Sequence, residues 1–305
     1  MSVFFFPFES STNNYLENMQ TIVKSETKVE EFPSPKKIWK LFTLKERDVL
    51  VLNWVEDGVS QRQFFYVFLW CLHLLIARLI FKKIIWVRHN FEPHTHNNLK
   101  KYKFMCSLLN KISNLKITHR PVTSYDYLPH PTYSSNVTLI SDEKRDIDYL
   151  YFGIIKRYKG LTNLLSTWPK EKKLFIRGLC EDKILNDEIL SIVKKRNLNV
   201  DYTNVFLTNS ELNVLLSKTK VVVLPHLENK MIVSGAFYHA ASFGANVMLR
   251  DGVFFKHLAA KFSFVHHLNN FDVVLSKPSE VAKDLEIECG NKSILFHLKL
   301  LNVLK

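Results

Sequence analysis

Lys156 and Lys159 stand three residues apart in a turn, between Gly153 at the end of the apolar run YLYFGII and Gly160 before the helical pattern LTNLLSTW. Two ammonium groups beside the free N–H groups of a helix start suit an anion, and the pair of cations suits a diphosphate. A solvated lysine turn explains the same residues equally well. Further on, the strand pattern VVVLP precedes Ser234 and Gly235, which open a second helical run, SGAFYHAASFG. Its first amides would point where that strand ends, and Gly244 supplies a helix stop tolerant of positive φ. A capped βαβ unit accounts for this segment alone, but gives no reason for its partnership with a K-x-x-K-G turn.

Such groups need strands to carry them. Residues 1–90 alternate apolar runs (SVFFFPF, DVLVLNW, KIIWVRHN) with helical ones (NYLENMQTIV and a long helix from Gln61), the mark of a parallel sheet covered on both faces. Ligands in such sheets collect at the carboxyl ends of the strands. Asn53, Trp54 and Glu56 follow one strand there, and His89, Asn90, Glu92 and His94 follow another. The stretch HRPVTSYDYLPHPTYSSNVTLISDEKRDID, rich in Pro, Ser, Asp and Tyr, reads as a linker, after which the βα rhythm resumes. The expected organisation is α/β, with two Rossmann-like domains, 1–140 and 141–305, facing each other across a cleft. The last helix has room to pack back on the first domain. Neither G-x-G-x-x-G after the first strand nor G-x-x-x-x-G-K-[ST] occurs, which argues against a Rossmann dehydrogenase and a P-loop ATPase.

The chain has 305 residues, 47% of them hydrophobic and 23% charged, and a net charge of +13 that favours a polyanionic partner. No run of five cations and no RNP signature points to nucleic acid. Cys71, Cys106, Cys180 and Cys289 lie far apart, arguing against a disulfide framework or a zinc knuckle and for a reducing compartment. MSVFFFPFES lacks the basic start and cleavage site of a leader and reads as a buried first strand. FFYVFLWCLHLLIARLIF approaches the length of a membrane span, but His73 and Arg78 interrupt it and KKIIWV follows at once. It reads as a buried helix, with partial embedding in a membrane surface as the alternative.

Taken together, FPFESSTNNYL, VLNWVED, IIWVRHNFEPH, YLPHPTY, FGIIKRYKGLTNLL, LFIRG and VVVLPH…SGAFYHAASFGANVMLRD resemble, in order and spacing, the bacterial GT-B glycosyltransferases. The likeness is to family-4-like enzymes of exopolysaccharide, capsule and O-antigen clusters. It implies that the second domain binds a UDP- or GDP-sugar. Lys156 stands where the family has arginine and Lys159 matches the family lysine on the diphosphate, while Ser234 and Gly235 assist through backbone amides; Lys156 brings charge without the bidentate fork. The E-x7-E carboxylates usual in the family are replaced by Met231 and His239. Ribose recognition is therefore open, with Gly153, Glu228 and His239 as candidates. His89 corresponds to a histidine near the transferred sugar, with a pKa near neutrality suiting hydrogen bonding or charge stabilisation. Asn13, Asn14 and Tyr15 match the loop that receives the acceptor. Trp54 by stacking, Glu56 by hydrogen bonding, and Asn90 and His94 more remotely, are further acceptor candidates.

The resulting expectation is a cytoplasmic transferase, peripheral on the inner face of the cell membrane. It would move a sugar from a nucleotide diphosphate donor to a lipid-linked oligosaccharide, with retention, no metal and no cofactor. The D-x-D at 146–148 is taken as chance. The rivals are a noncatalytic nucleotide-sugar or saccharide-binding partner, kept open by the missing carboxylates, and a nucleic-acid-binding protein drawing on the charge.

Overall fold

The computed structural model describes residues 1–10, 14–45, 47–92, 98–133, 139–227 and 232–304. The chain forms two compact units. The first is built from Met1–Pro131 and Cys289–Lys305 with a short piece ending at Val233, and the second from Thr132–Asn229 and Ser234–Glu288.

In the first unit the elements run β1 (Ser2–Phe6), α1 (Tyr15–Lys24), β2 (Lys28–Glu31), α2 (Lys40–Thr43), β3 (Val49–Asn53), α3 (Val55–Ser60), α4 (Phe64–Ile80), β4 (Lys83–Val87), α5 (Leu99–Ile112), β5 (Leu115–Thr118) and β6 (Asp126–Tyr127). The strands make one parallel sheet in the order β2-β1-β3-β4-β5-β6. Successive strand residues face opposite sides, so near-continuous apolar runs feed two cores. Val3, Phe5, Val49, Val51, Ile85 and Val87 pack against α1 on one face, and Phe4, Leu50, Leu52, Ile84 and Trp86 pack against α4 and α5 on the other.

The second unit runs β7 (Ile147–Phe152), α6 (Leu161–Thr167), β8 (Leu174–Arg177), α7 (Lys183–Arg196), β9 (Val200–Thr203), α8 (Asn209–Ser217), β10 (Thr219–Leu224), α9 (Gly235–Ser242), β11 (Asn246–Leu249), α10 (Val253–Ala259), β12 (Val265–His267) and α11 (Pro278–Cys289). Its parallel sheet has the order β12-β11-β10-β7-β8-β9. The final helix, α12 (Asn291–Leu300), buries Ile294 and Leu298 in the α1 side of the first unit's core.

Both sheets are doubly wound, and each reverses direction at one place, between β1 and β3 in the first and between β7 and β10 in the second. Such a reversal opens a crevice at the carboxyl ends of the two strands that diverge there. The loops holding Asn14, Trp54, Lys159 and Ser234 all follow one of these four strands.

Two sequence expectations are corrected. The supposed linker supplies β6 and, through His119 and His130, part of the first unit's interior; its proline-rich composition hid a two-residue edge strand. The long apolar helix begins at Phe64 rather than Gln61 and is buried on one side only, through Val67, Trp70, Leu74 and Ala77. No helix among the described residues is long and apolar enough to cross a membrane.

Candidate active site

In the second unit, the strand β7 ends at Phe152 and the chain turns at Gly153, whose φ is +96°. The turn continues into a short 3-10 segment, Arg157–Lys159, and Gly160, at φ +71°, starts α6. The Lys159 side chain folds back towards Gly153, its ammonium lying 3.6 Å from where a Cβ on Gly153 would stand. Burial, and then the charge of Lys156, lower the Lys159 pKa to about 8. Among the described residues no carboxylate pairs with the half-buried Lys159. Arg157 points elsewhere, to Asp182 (3.5 Å) and Glu188 (3.0 Å) at α7.

The loop after β10 is locked to this turn. Leu227 N–H donates to the Tyr158 carbonyl (3.0 Å), and a Cβ on Gly160 would fall 2.4 Å from the Pro225 carbonyl oxygen. Gly160→Ala therefore meets both a left-handed backbone and a backbone clash, and should destabilise the second unit by about 3 kcal/mol. Thermal unfolding with and without a nucleotide sugar would show a lower melting temperature and loss of the ligand-induced rise.

Ser234 is buried, extended, and precedes α9 without a side-chain capping bond, so the helix's first amides are not satisfied by that hydroxyl. Tyr133 covers this start: its hydroxyl is 2.5 Å from a Cβ built on Gly235, its amide donates to Ser242 Oγ (2.9 Å), and its ring stacks on His239 (4.7 Å, 11°). His239 is itself buried, with Nε2 donating to Asn213 Oδ1 (2.8 Å), and burial lowers its pKa to about 4. Phe152, at the end of β7, meets His239 edge-on. The structure thus gathers Gly153, Lys156, Lys159, Ser234, Gly235 and His239 in one unit, at the carboxyl ends of β7 and β10. Glu228 lies outside the described residues.

In the first unit, His89 is buried at the end of β4. Its Nε2 donates to Asn53 Oδ1 (3.0 Å), and its ring stacks on Trp54 at 4.0 Å and 17°. Trp54 reaches this position with φ +50°, a left-handed conformation that a large residue adopts only where its surroundings enforce it. Tyr15 meets His89 edge-on (4.8 Å) and lies within 5.2 Å of both His119 and His130, ring centre to ring centre. His119 Nδ1 must donate to the Leu128 carbonyl (2.9 Å), which leaves Nε2 to accept from the Tyr15 hydroxyl (2.9 Å). The same reasoning, with Nε2 of His89 donating, puts the His89 lone pair on Nδ1.

The expected ionisation of His89 and two acceptor-side expectations change. His89 does not titrate near neutrality: burial first, then the neighbouring His119 and His130, hold its pKa well below the usual range, so it works as a neutral ring. Tyr15 is buried and serves this aromatic cluster rather than presenting itself to a sugar. Glu56 is buried too, its carboxylate accepting from Trp86 Nε1 (3.1 Å), which corrects its direct hydrogen bond to an acceptor. Burial, then the adjacent Asp57 carboxylate, raise the Glu56 pKa to about 7, and burial raises Asp57 to about 6. Asn14 caps α1 by its backbone position without a side-chain cap bond, and Asn90 hydrogen-bonds Asp57 while its carbonyl accepts from Arg88 and Tyr102. Asn13 and His94 lie outside the described residues. Asn53 is noted in the sequence only as a strand-end residue, and His119, His130 and Tyr133 are not singled out there, because a histidine or tyrosine among prolines carries no pattern of its own.

These buried groups set an acid limit on stability. His73, His119 and His239 have native pKa values of about 4, and His89 and His130 are also depressed. Their stabilisation is full above the unfolded value of about 6.5 and is lost as pH falls towards 4. Glu56 and Asp57, raised, act in the opposite sense, but five imidazoles outweigh two carboxyls. The melting temperature should rise by roughly 5 °C or more between pH 4.5 and 6.5; a flat or falling profile would contradict these assignments.

Two Rossmann-like α/β units of six parallel strands, each with polar groups at its point of reversal, give the chain the GT-B fold of glycosyltransferases. No protein-family model and no curated protein sequence matches it. Among solved structures, the chain is similar to AviGT4, a glycosyltransferase involved in avilamycin A biosynthesis, at TM-score 0.65 and 10% identity, over 99% of this chain and 96% of that one. It is also similar to the E. coli trehalose-6-phosphate protein bound with UDP-2-fluoro glucose, at TM-score 0.52 and 10% identity, over 99% and 94%. The UDP-forming trehalose-phosphate synthase of Burkholderia xenovorans, in complex with glucose-6-phosphate, follows at TM-score 0.50 and 10% identity, over 87% and 72%. At these identities the likeness concerns the fold.

Proposed function

We propose that the protein is a glycosyltransferase that moves a sugar from a UDP- or GDP-sugar to a lipid-linked oligosaccharide in the synthesis of a surface polysaccharide, with retention of configuration. The observation that carries this reading is the Lys159 ammonium folded back towards Gly153 and under the influence of Lys156, with no carboxylate paired to it among the described residues, at the point where the second sheet reverses. The neighbours that bind UDP-2-fluoro glucose and glucose-6-phosphate support a nucleotide-sugar donor and a sugar acceptor.

In the reaction, the bond between the anomeric carbon and the diphosphate oxygen breaks and its electron pair leaves with the nucleoside diphosphate. The acceptor hydroxyl oxygen bonds to the anomeric carbon, and its proton passes to the departing diphosphate. Lys156, Lys159 and the amides at the start of α9 meet the charge that grows on the leaving group, so neither metal nor cofactor is required in this reading. Neutral His89 hydrogen-bonds the transferred sugar. The enzyme works in the cytoplasm, at the inner face of the membrane that holds the acceptor.

A thermal-shift screen over nucleotide sugars, followed by release of nucleoside diphosphate with oligosaccharide acceptors, tests the proposal. The expected result is one donor that raises the melting temperature and is consumed. A donor that binds and is neither hydrolysed nor transferred would favour the noncatalytic partner, a reading sustained by a histidine in place of the second family carboxylate, already engaged by Asn213 and Tyr133. Salt-sensitive binding to oligonucleotides, with no response to any nucleotide sugar, would overturn both.

A further inference from the structure

The helix α4 is apolar on two opposite sides, and among the described residues one of them is buried in the core and the other is exposed. Opposite the buried Val67, Trp70, Leu74 and Ala77, the side chains of Phe64, Phe65, Phe68, Leu72, Leu75 and Leu79 are exposed, from 42% at Leu72 to 85% at Leu79. Positions 64, 68, 72, 75 and 79 recur at helical spacing, so with Phe65 they fall on one stripe about 100° wide. Isolated exposed leucines need no explanation, but a continuous aromatic and aliphatic stripe marks an interaction surface. Trp39 and Phe42 are exposed as well, on the segment whose Ile38 and Leu41 pack into the same core as α4.

The charge of the segments that form this face is mainly positive. From residue 58 to residue 91 the chain holds Arg62, Arg78, Lys82, Lys83 and Arg88 and no carboxylate, and from 32 to 45 it holds Lys36, Lys37, Lys40 and Lys45 and none. Lys82 pairs with Asp48 and Arg88 turns inward to the Tyr125 hydroxyl, so the exposed cations that count are Lys36, Lys37, Lys40, Lys45, Arg62 and Arg78. At the amino end of α4 a cavity of about 370 Å³ is lined by Lys36, Gln61, Arg62, Gln63 and Tyr66, with the Arg62 guanidinium over the Tyr66 ring at 5.6 Å. Two cations, two amides and a phenol around one hollow beside exposed phenylalanines match the two layers of a bilayer surface, phosphate above and acyl chain below.

We infer that this face of α4, with Trp39 and Phe42, docks the protein flat on an anionic lipid bilayer. Charge decides between that occupant and a second copy of the chain. A twofold contact centred on the same patch would set the cations at one end of α4 against those at the other, Arg62 of one copy towards Arg78 of the second, whereas anionic headgroups neutralise them. The inference gives a surface to the membrane contact in the proposed function, and it rests on that reading only for its biological purpose.

The test is flotation of the full chain with vesicles of phosphatidylcholine alone and of phosphatidylcholine with about one third phosphatidylglycerol. Most of the protein should float with the anionic vesicles and little with the neutral ones, less so at high salt. The triple variant Phe65→Ser, Phe68→Ser, Leu72→Ser and the double variant Lys36→Glu, Arg62→Glu should each lower the bound fraction about tenfold. Both change exposed residues only, so melting temperature and donor response should stay at wild-type values. Wild-type protein that remains unbound to anionic vesicles, or variants that float as it does, would overturn the inference. So would a dimer, by light scattering, that the triple variant converts to monomer with flotation unchanged. Failure of every nucleotide sugar to bind would sink the donor assignment and leave the flotation result standing.

Discussion

Lys159→Ala should lower the rate of sugar transfer by about 10²- to 10³-fold, the usual loss when one group stabilising a developing negative charge is removed. The native protein holds this ammonium half-buried beside Lys156 with no carboxylate to balance it among the described residues, an arrangement that costs stability. The alanine variant should therefore melt no lower than the wild type, which separates a ligand-binding role from a structural one. The pKa of about 8 sharpens the test. As pH rises through that value, Lys159 loses its proton and its hold on a diphosphate, so donor affinity should fall at a pH where an ordinary lysine, titrating near 10.5, would still be charged. In Lys159→Ala that limb of the profile should vanish. Unchanged turnover at saturating donor would remove Lys159 from the diphosphate site.

For His89→Ala the expectation is a loss of about 100-fold in kcat, with donor affinity within a few fold of wild type because the proposed donor groups belong to the other unit. The ring also fills space between Tyr15 and Trp54, and its removal should cost about 2 to 3 kcal/mol of stability in the first unit. A purely structural role would give the second effect without the first. The state of the ring makes the distinction cleaner: because His89 is held neutral, the rate should show no ionisation of this residue between pH 6 and 8. Asn53→Asp would place a carboxylate against Nε2 and raise the His89 pKa, so a new pH dependence near neutrality should follow. A wild-type rate that falls with an apparent pKa near 6.5, unchanged in Asn53→Asp, would show that some other group titrates.

The strands that carry both candidate sites were legible because a parallel sheet covered on two faces demands near-continuous apolar runs, and DVLVLN, KIIWV, YLYF and KVVVL have them. The edge strands KVEE and DY were not, since an edge needs no apolar face and composition alone made the second part of a linker. The two glycines around the lysine turn could be read as special because a left-handed backbone and a close approach both exclude a side chain, and Gly153 and Gly160 show positive φ.

What the sequence determined by itself is the α/β class, the two βα series, the turn with Lys156 and Lys159, and the helix start at Ser234, all of which rest on local patterns of hydrophobicity and turn chemistry. Tertiary structure added where the three cations of that turn go: it turned Arg157 to Asp182 and Glu188 and folded Lys159 back towards Gly153. It also closed Tyr15, Trp54, His89, His119 and His130 into one cluster from segments up to 115 residues apart in number, 130 less 15. Pairwise contact and burial set the protonation of such a group, and both depend on which chain segments meet. A histidine in the sequence carries a pKa near neutrality; the same histidine among two others, an indole and a phenol, carries none of that charge.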